Sequence, residues 1–185
     1  MQDTSQVVTN TEQVNGSGWS ELLYQRLKDA GIAQMSYVPD AGHAQLINRM
    51  IDDPEITTSV LTTEEEGVAI CAGAWLGGQR SVLLMQSSGA GNCINMLSLI
   101  GNCRIPFLTI ITMRGEWAEF NPWQVPMGKA TKASLELMGV HTIRVEHEDE
   151  LDAAMDSALT LSFDGDMAVA IILSQQFLGK KKWIK

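Results

Sequence analysis

Three stretches of this chain, SVLLMQ at 81–86, PFLTIITM at 106–113 and MAVAIIL at 167–173, are nearly all apolar and carry no charge. A strand with one wet face alternates apolar and polar residues. An unbroken apolar run of this length is a strand covered on both faces, as in a parallel sheet between two helix layers. Each run is far shorter than the roughly 18 apolar residues of a membrane span, and no such span is expected. Weaker β-type runs at 35–38, ended by Pro39, at 57–61 and at 141–145 bring the total to six. Helical runs alternate with them at 19–30, 44–51, 64–76, 93–102, 129–138 and 149–163. Gly31, Pro54 and the Gly77-Gly78 pair close the first three. Strands alternating with helices of this length are βαβ units with right-handed crossovers. The expectation is one doubly wound α/β domain over residues 19–178, a six-stranded parallel sheet with helices on both faces.

The ends read differently. Residues 1–18 are polar, lack Lys and Arg and hold no apolar run, so they are not a secretory signal. A disordered or partner-docking tail is expected there, and a basic tail at 179–185. With 13 Lys+Arg against 22 Asp+Glu the net charge is −9, which argues against a protein that grips a nucleic-acid backbone. Three cysteines, Cys71, Cys93 and Cys103, are an odd number set in apolar or helical stretches. Buried free thiols in a reducing cytoplasm fit them. Cysteines and histidines lack short ligand spacings, so no metal ligand is assigned.

In doubly wound sheets ligands bind beyond the carboxyl ends of the strands. The loops at 39–43, 62–66, 87–92 and 114–127 are therefore the places to look for chemistry. The most informative is LTTEEEGVAICAGAWLGG at 61–78. Read as structure alone, Thr62 with Glu65 or Thr63 with Glu66 makes a capping box, and acids suit a helix N-terminus. The small residues that follow leave a helix surface that a backbone or a flat ring can approach closely.

The same segment resembles the pyrimidine-binding domain of thiamine-diphosphate enzymes. That family carries a catalytic Glu after the second strand, then a helix of pattern E-x-G-A-x-x-A-A-x-G-[YW]-A. Aligned on Gly67, the resemblance puts the family's Glu on Glu65, with Glu64 and Glu66 at variable positions. A carboxyl there shares a proton with the cofactor's ring nitrogen, a general acid/base relay. The helix dipole favours the carboxylate form, and burial in a subunit interface opposes it.

The turn Gln86-Ser87-Ser88-Gly89-Ala90-Gly91-Asn92 reads alone as a tight βα turn. No G-x-G-x-x-G follows the first strand and no P-loop occurs, so dinucleotide and P-loop readings lack support. The resemblance places an S-G-x-G turn here, bordering the cofactor's pyrimidine, with Gly89 and Asn92 as contacts. Val38-Pro39-Asp40 is similar to the family's first-strand exit, which faces the substrate. Asp40 and His43 are then acid/base or substrate groups; an Asx turn and a surface His are the equally simple reading.

The loop M-R-G-E-W-x-E-x-N-P-x-Q at 113–124, with E-E-E-G-V-x-I-C-A-G-A and S-G-x-G-N, is similar to the sulfopyruvate decarboxylase alpha-subunit family over about residues 20–178. Phosphonopyruvate decarboxylase is a more distant likeness. The resemblance implies decarboxylation of 3-sulfopyruvate to sulfoacetaldehyde and CO₂, in coenzyme M formation or sulfonate metabolism. Arg114 and Glu116 become substrate-binding candidates, with Arg104 and Lys129 as further cations for a small dianionic 2-oxo acid. The family's G-D-G motif for Mg²⁺ and diphosphate is missing; Phe163-Asp164-Gly165-Asp166 is the nearest run. A beta subunit carrying Mg²⁺ and the diphosphate, in a hetero-oligomer, is thereby implied. The rivals are a phosphonopyruvate or other 2-oxo acid decarboxylase subunit, and a non-catalytic flavodoxin-like binding domain.

Overall fold

The computed structural model describes residues 18–180. Most of the tail at 1–18 and of the basic tail at 179–185 lies outside the described residues; Gly18 belongs to the first helix. The order is α1 (Gly18–Asp29), β1 (Ile32–Tyr37), α2 (Ala44–Ile51), β2 (Thr57–Val60), α3 (Glu64–Leu76), β3 (Arg80–Gln86), α4 (Ser87–Asn92) and α5 (Leu97–Cys103). It continues through β4 (Phe107–Thr112), α6 (Val125–Leu137), β5 (His141–Val145), α7 (Leu151–Leu159), β6 (Ala168–Leu173) and α8 (Gln175–Leu178). All six strands are parallel, in the order β2-β1-β3-β4-β6-β5. The six-stranded parallel sheet expected from the sequence is therefore present.

The apolar runs behave as strands buried on both faces. Along β3, Val82 and Leu84 enter one core while Leu83 and Met85 enter the other. Along β6, Val169, Ile171 and Leu173 part in the same way from Ala170 and Ile172. The first core is closed by Leu23 and Leu27 of α1, Leu46 and Met50 of α2, and Met155 of α7. The second is closed by Val68 and Cys71 of α3, Leu97 and Ile100 of α5, and Leu135 of α6. The period-two alternation of side chains thus feeds helix layers on both sides.

Several element boundaries differ from expectation, among them β1, which starts at Ile32 and not 35, and α7, which ends at Leu159 and not 163. The turn after β3 winds into the six-residue helix α4, because Ser87 is anchored: its Oγ donates to the Arg114 carbonyl and accepts from the Arg114 N–H. The helix expected from 129 begins at Val125, with Pro126 in its first turn where the missing N–H costs nothing. The helix expected over 93–102 starts only at Leu97.

Two crossovers set the site. From β1 the chain passes through α2 to β2 on one side, then returns through α3 to β3 on the other side. The carboxyl ends of β1 and β3 consequently flank the topological switch point, where a crevice opens in sheets of this type.

Candidate active site

Glu64 opens α3 on its buried side. It is three, four and seven residues before Gly67, Val68 and Cys71, all buried, so it shares their face of the helix. Glu64 is only 8% exposed, and Asn92 Nδ2 donates to its Oε2 at 2.9 Å. Its carboxyl lies directly on Gly89; a methyl group there would overlap the Glu64 Cδ and Oε1. Gly89 is therefore needed for close approach rather than for an unusual backbone angle.

Glu65, expected to be the cofactor-facing acid, is exposed on the opposite side with Ala69 and Gly73. The grouping with Gly89 and Asn92 is made by Glu64, one residue earlier than the sequence register placed it. Neither capping box is complete. Thr63 is the N-cap without a side-chain hydrogen bond, and only Glu66 reaches back, its Oε2 accepting from the Thr62 N–H at 2.9 Å.

Asp40 and His43 do not line an open surface. Their side chains are 6% and 0% exposed, with His43 Nδ1 3.6 Å from Asp40 Oδ2. Asp40 accepts from Gln86 Nε2 at 2.9 Å and from Thr112 Oγ1 at 2.6 Å, which ties together the ends of β1, β3 and β4. The surface-His reading is overturned, and direct contact of His43 with a substrate has no support from its burial. Asp40 thus supplies the acceptor where three strands end together, with His43 beside it.

Arg114 and Glu116 are likewise committed within the chain. Arg114 Nε and Nη2 both bond to the Glu119 carboxylate, at 2.6 and 2.5 Å. Glu119 also accepts from Gly115 N, Asn121 N and Gln175 Nε2. The Arg114 guanidinium beside it, helped by those donors, pulls the Glu119 pKa from 4.5 down to about 2 against the opposing effect of burial. Glu116 accepts from Arg144 and from the Gln175 backbone N–H at the start of α8. Gln175 Oε1 in turn accepts from Glu116 N and Trp117 N. An Arg already neutralised by a bidentate carboxylate has little left to offer an anionic substrate. Gly115 at φ +83° presses against the Gln124 backbone, so this loop is closed tightly on itself.

Gln86, Thr112, Glu119 and Gln175 were not singled out by sequence reasoning. Gln175 follows the sixth strand, and the rule that sites lie beyond strand ends pointed to it without being applied there. The cysteines are free: Cys71 and Cys93 are buried as expected, whereas Cys103 is exposed at the end of α5. Among the described residues, no group of three or more His, Cys, Asp or Glu side chains could hold a metal ion. No helix among them is long and apolar enough to cross a membrane.

The class of fold emerges from solved structures. One chain of 2-oxoglutarate:ferredoxin oxidoreductase from Magnetococcus marinus superposes with a TM-score of 0.69 at 16% identity, over 86% of this chain and 29% of that one. A Mycobacterium smegmatis protein described as a thiamin diphosphate-dependent enzyme gives 0.66 at 14%, over 90% and 34%. The architecture is thus a domain fold found in enzymes of that class. No protein-family model matches the chain.

Sequence relatives narrow the assignment. Sulfopyruvate decarboxylase subunit alpha of Methanococcus maripaludis is 39% identical over 155 residues, 83% of this chain and 93% of that protein. The same subunit of Methanothermobacter thermautotrophicus is 34% identical over 85% and 96%. This chain belongs to the sulfopyruvate decarboxylase alpha-subunit family. Phosphonopyruvate decarboxylase of Streptomyces viridochromogenes is 37% identical over 71% of this chain, which spans 34% of that longer protein.

Proposed function

We propose that this chain is the alpha subunit of a thiamine-diphosphate-dependent carboxy-lyase that converts 3-sulfopyruvate to sulfoacetaldehyde and CO₂. Family membership gives the reaction, and one structural observation supports the site: a nearly buried carboxylate, Glu64, seated on Gly89 and held by Asn92 at the carboxyl edge of the sheet.

The residues suit the aminopyrimidine end of the cofactor. Gly89 leaves room for the Glu64 carboxyl, whose Oε1 lies on it while Asn92 engages Oε2, and Glu64 can hold a proton for a ring nitrogen. Glu64, not Glu65, takes the role of proton-sharing carboxylate in this proposal. When bound, the cofactor supplies the electron sink that decarboxylation requires. Within this chain, Glu64 stores and returns the proton, Gly89 and Asn92 set its orientation, and the Asp40 cluster holds the strand ends in register.

The diphosphate and Mg²⁺ belong, in this reading, to a beta subunit in a hetero-oligomer. The missing G-D-G motif supports that division, since a hard cation needs several oxygen ligands in fixed geometry. With Arg114 paired to Glu119, the substrate's anionic groups also find their cations mainly on the partner. The free thiols fit a reducing cytoplasm, and coenzyme M formation or sulfonate metabolism is the pathway context.

The test is reconstitution. The chain with its partner subunit, thiamine diphosphate and Mg²⁺ is assayed for CO₂ release from 3-sulfopyruvate and from 3-phosphonopyruvate. The expected result is a higher kcat/KM for the sulfonate, and no turnover by the isolated chain. Equal rates on both acids would remove the sulfonate assignment; no turnover of either by the complex would remove the decarboxylase reading.

A further inference from the structure

We propose that the lysine-rich segment after α8, residues 180–185, folds back over the cleft beside that helix, with Trp183 against its apolar side and the lysines against its acidic side. The occupant is a segment of this same chain, and the inference stands apart from the proposed reaction.

The cleft measures about 330 Å³ and shares no residue with the Glu64 cluster. Three elements build it: the start of α1, the loop after β5, and α8. Trp19, Phe177 and Leu178 give it an apolar side, where the Trp19 and Phe177 rings meet edge to face with centroids 5.8 Å apart. Glu146, His147, Glu148 and Gln176 give it a polar side. Glu146 and Glu148 belong to the run Glu146-His147-Glu148-Asp149-Glu150, four acids in five residues. Among the described residues, Arg144 pairs with Glu146 and is shared with Glu116, while Glu148, Asp149 and Glu150 have no Lys or Arg partner. The cleft thus sets an aromatic wall beside unanswered negative charge.

Two segments of the chain join the described residues at this cleft. Residues 1–17 lead into α1 just before Trp19. They carry Asp3 and Glu12 and no Lys or Arg, so the acidic side repels them. The other segment follows Leu178 and reads Lys180-Lys181-Lys182-Trp183-Ile184-Lys185. Its four lysines match the acidic run in sign, and its Trp and Ile match the apolar wall. Lysine stems also cover apolar surface while their ammonium groups stay at the rim. Gly179, at φ +82°, lets the chain change direction as it leaves the cleft. Trp183 stands five residues beyond Leu178, a reach of at most about 17 Å, so it stays close to the wall that Leu178 forms.

Docking there would fasten a helix that is short by itself. α8 has four residues and is capped by Ser174, whose Oγ accepts from the Phe177 N–H at 3.0 Å. A single turn is marginal without packing. Yet its Gln175 holds Glu116, Trp117 and Glu119 of the Arg114 loop. A segment strapped across Phe177 and Leu178 secures that loop from behind.

The full chain carrying fluorotryptophan gives five fluorine resonances, one per Trp, and Trp183→Phe assigns the last. The Trp183 signal is expected to be displaced from its position in urea, and the Trp19 signal to move in Trp183→Ala. Glu148→Lys with Asp149→Lys should return the Trp183 signal most of the way to its urea position, and adding Lys181→Glu with Lys182→Glu should displace it again. Removing residues 181–185 should quicken hydrogen exchange at the Phe177 and Leu178 amides about fivefold. A Trp183 signal at its urea position in the wild-type chain overturns the proposal. So does a displaced signal that ignores the reversal of Glu148 and Asp149, a reversal that the lysine exchange does not rescue, or unchanged amide exchange. If the reversed chain does not fold, the Trp19 signal decides, and its failure to move in Trp183→Ala overturns the proposal. Labelled chain with both acids reversed is also mixed with unlabelled chain lacking residues 181–185. Displacement of Trp183 in that mixture assigns the cleft to the tail of a second copy and overturns docking within one chain; an unchanged signal upholds it.

Discussion

Two loop clusters share the carboxyl edge of the sheet, and both bury charge, yet they are built to opposite ends. Around Arg114 every charged group is answered from within the chain. Glu119 takes both arms of Arg114, then Gly115 N, Asn121 N and Gln175 Nε2, while Glu116 takes Arg144 and the start of α8. Around Glu64, Asn92 is the one side-chain hydrogen-bond partner among the described residues, and a glycine lies where a side chain would cover the carboxyl. A charge in a sequence is available for chemistry only if the fold leaves it unspent. The first cluster fixes a loop; the second keeps a carboxylate in reserve.

The largest expected effect breaks or upholds that distinction directly. In the reconstituted complex, Glu64→Gln should lower kcat by about 10²–10⁴-fold, the usual worth of a general acid/base, with the melting temperature and assembly unchanged. Glu65→Gln, one residue away on the exposed face, should stay within about threefold of wild type, as a solvated charge does. The reverse ranking would return the role to Glu65 and reduce Glu64 to a buried structural acid.

The self-satisfied cluster should answer in stability instead. Side-chain exposures of 11% and 4% mark Arg114 and Glu119 as a nearly buried pair. Glu119→Ala strands the guanidinium and should cost about 3–5 kcal/mol by urea unfolding, whereas replacing both with Met and Leu should cost much less. A Glu119→Ala loss below about 1 kcal/mol would place the pair with ordinary surface ion pairs. The pH dependence carries the same signature. Because the folded Glu119 pKa lies near 2 and the ordinary value is 4.5, its contribution is complete above pH 4.5 and drains away as pH falls toward 2. The stability gap between wild type and Glu119→Gln should therefore be constant at neutral pH and close across that window.

How much of this was readable beforehand follows from the physics of each element. The sheet was legible because runs such as SVLLMQ can only be strands covered on both faces, and β3 matches that run to within one residue. The glycines after β3 marked the place of a close contact, but the stretch is the short helix α4 and not the tight turn they suggested. Which of Glu64 and Glu65 faces Gly89 was not legible, because both faces of α3 are small or apolar: Val68 and Cys71 point in while Ala69 and Gly73 point out, so hydropathy does not pick a face. Counting three residues back from Gly67, four from Val68 and seven from Cys71 leads to Glu64 as the acid on the buried face, but only once those residues are known to be inside. The pairing of Arg114 with Glu119 joins residues five apart in an irregular loop, where no periodicity predicts contact. The network to Gln175 spans 56 residues of sequence and depends on β4 and β6 being neighbours, a fact of topology rather than of composition.

The smallest effect separates the two clusters through a thiol that neither of them uses. Cys93 lies under the Glu64 cluster, its Sγ within 3.5 Å of the Gly89 carbonyl, and burial first, then the nearby Glu64 and Glu65 charges, push its pKa up to about 12. At pH 8 such a thiol is thiolate about once in ten thousand molecules and should resist iodoacetamide, as should Cys71, raised by burial to about 11. Exposed Cys103 should take one equivalent promptly. Gly89→Ala forces the Glu64 carboxyl aside and loosens the floor beneath it, so Cys93 should begin to react in the folded chain. Glu119→Ala, which opens the other cluster, should leave Cys93 protected at denaturant concentrations below its unfolding transition. Mass spectrometry of the alkylated cysteine peptides reads both. If Cys93 labels equally in the two variants, the clusters are one cooperative unit, and the contrast between a locked loop and a reserved carboxylate fails at the level of local stability.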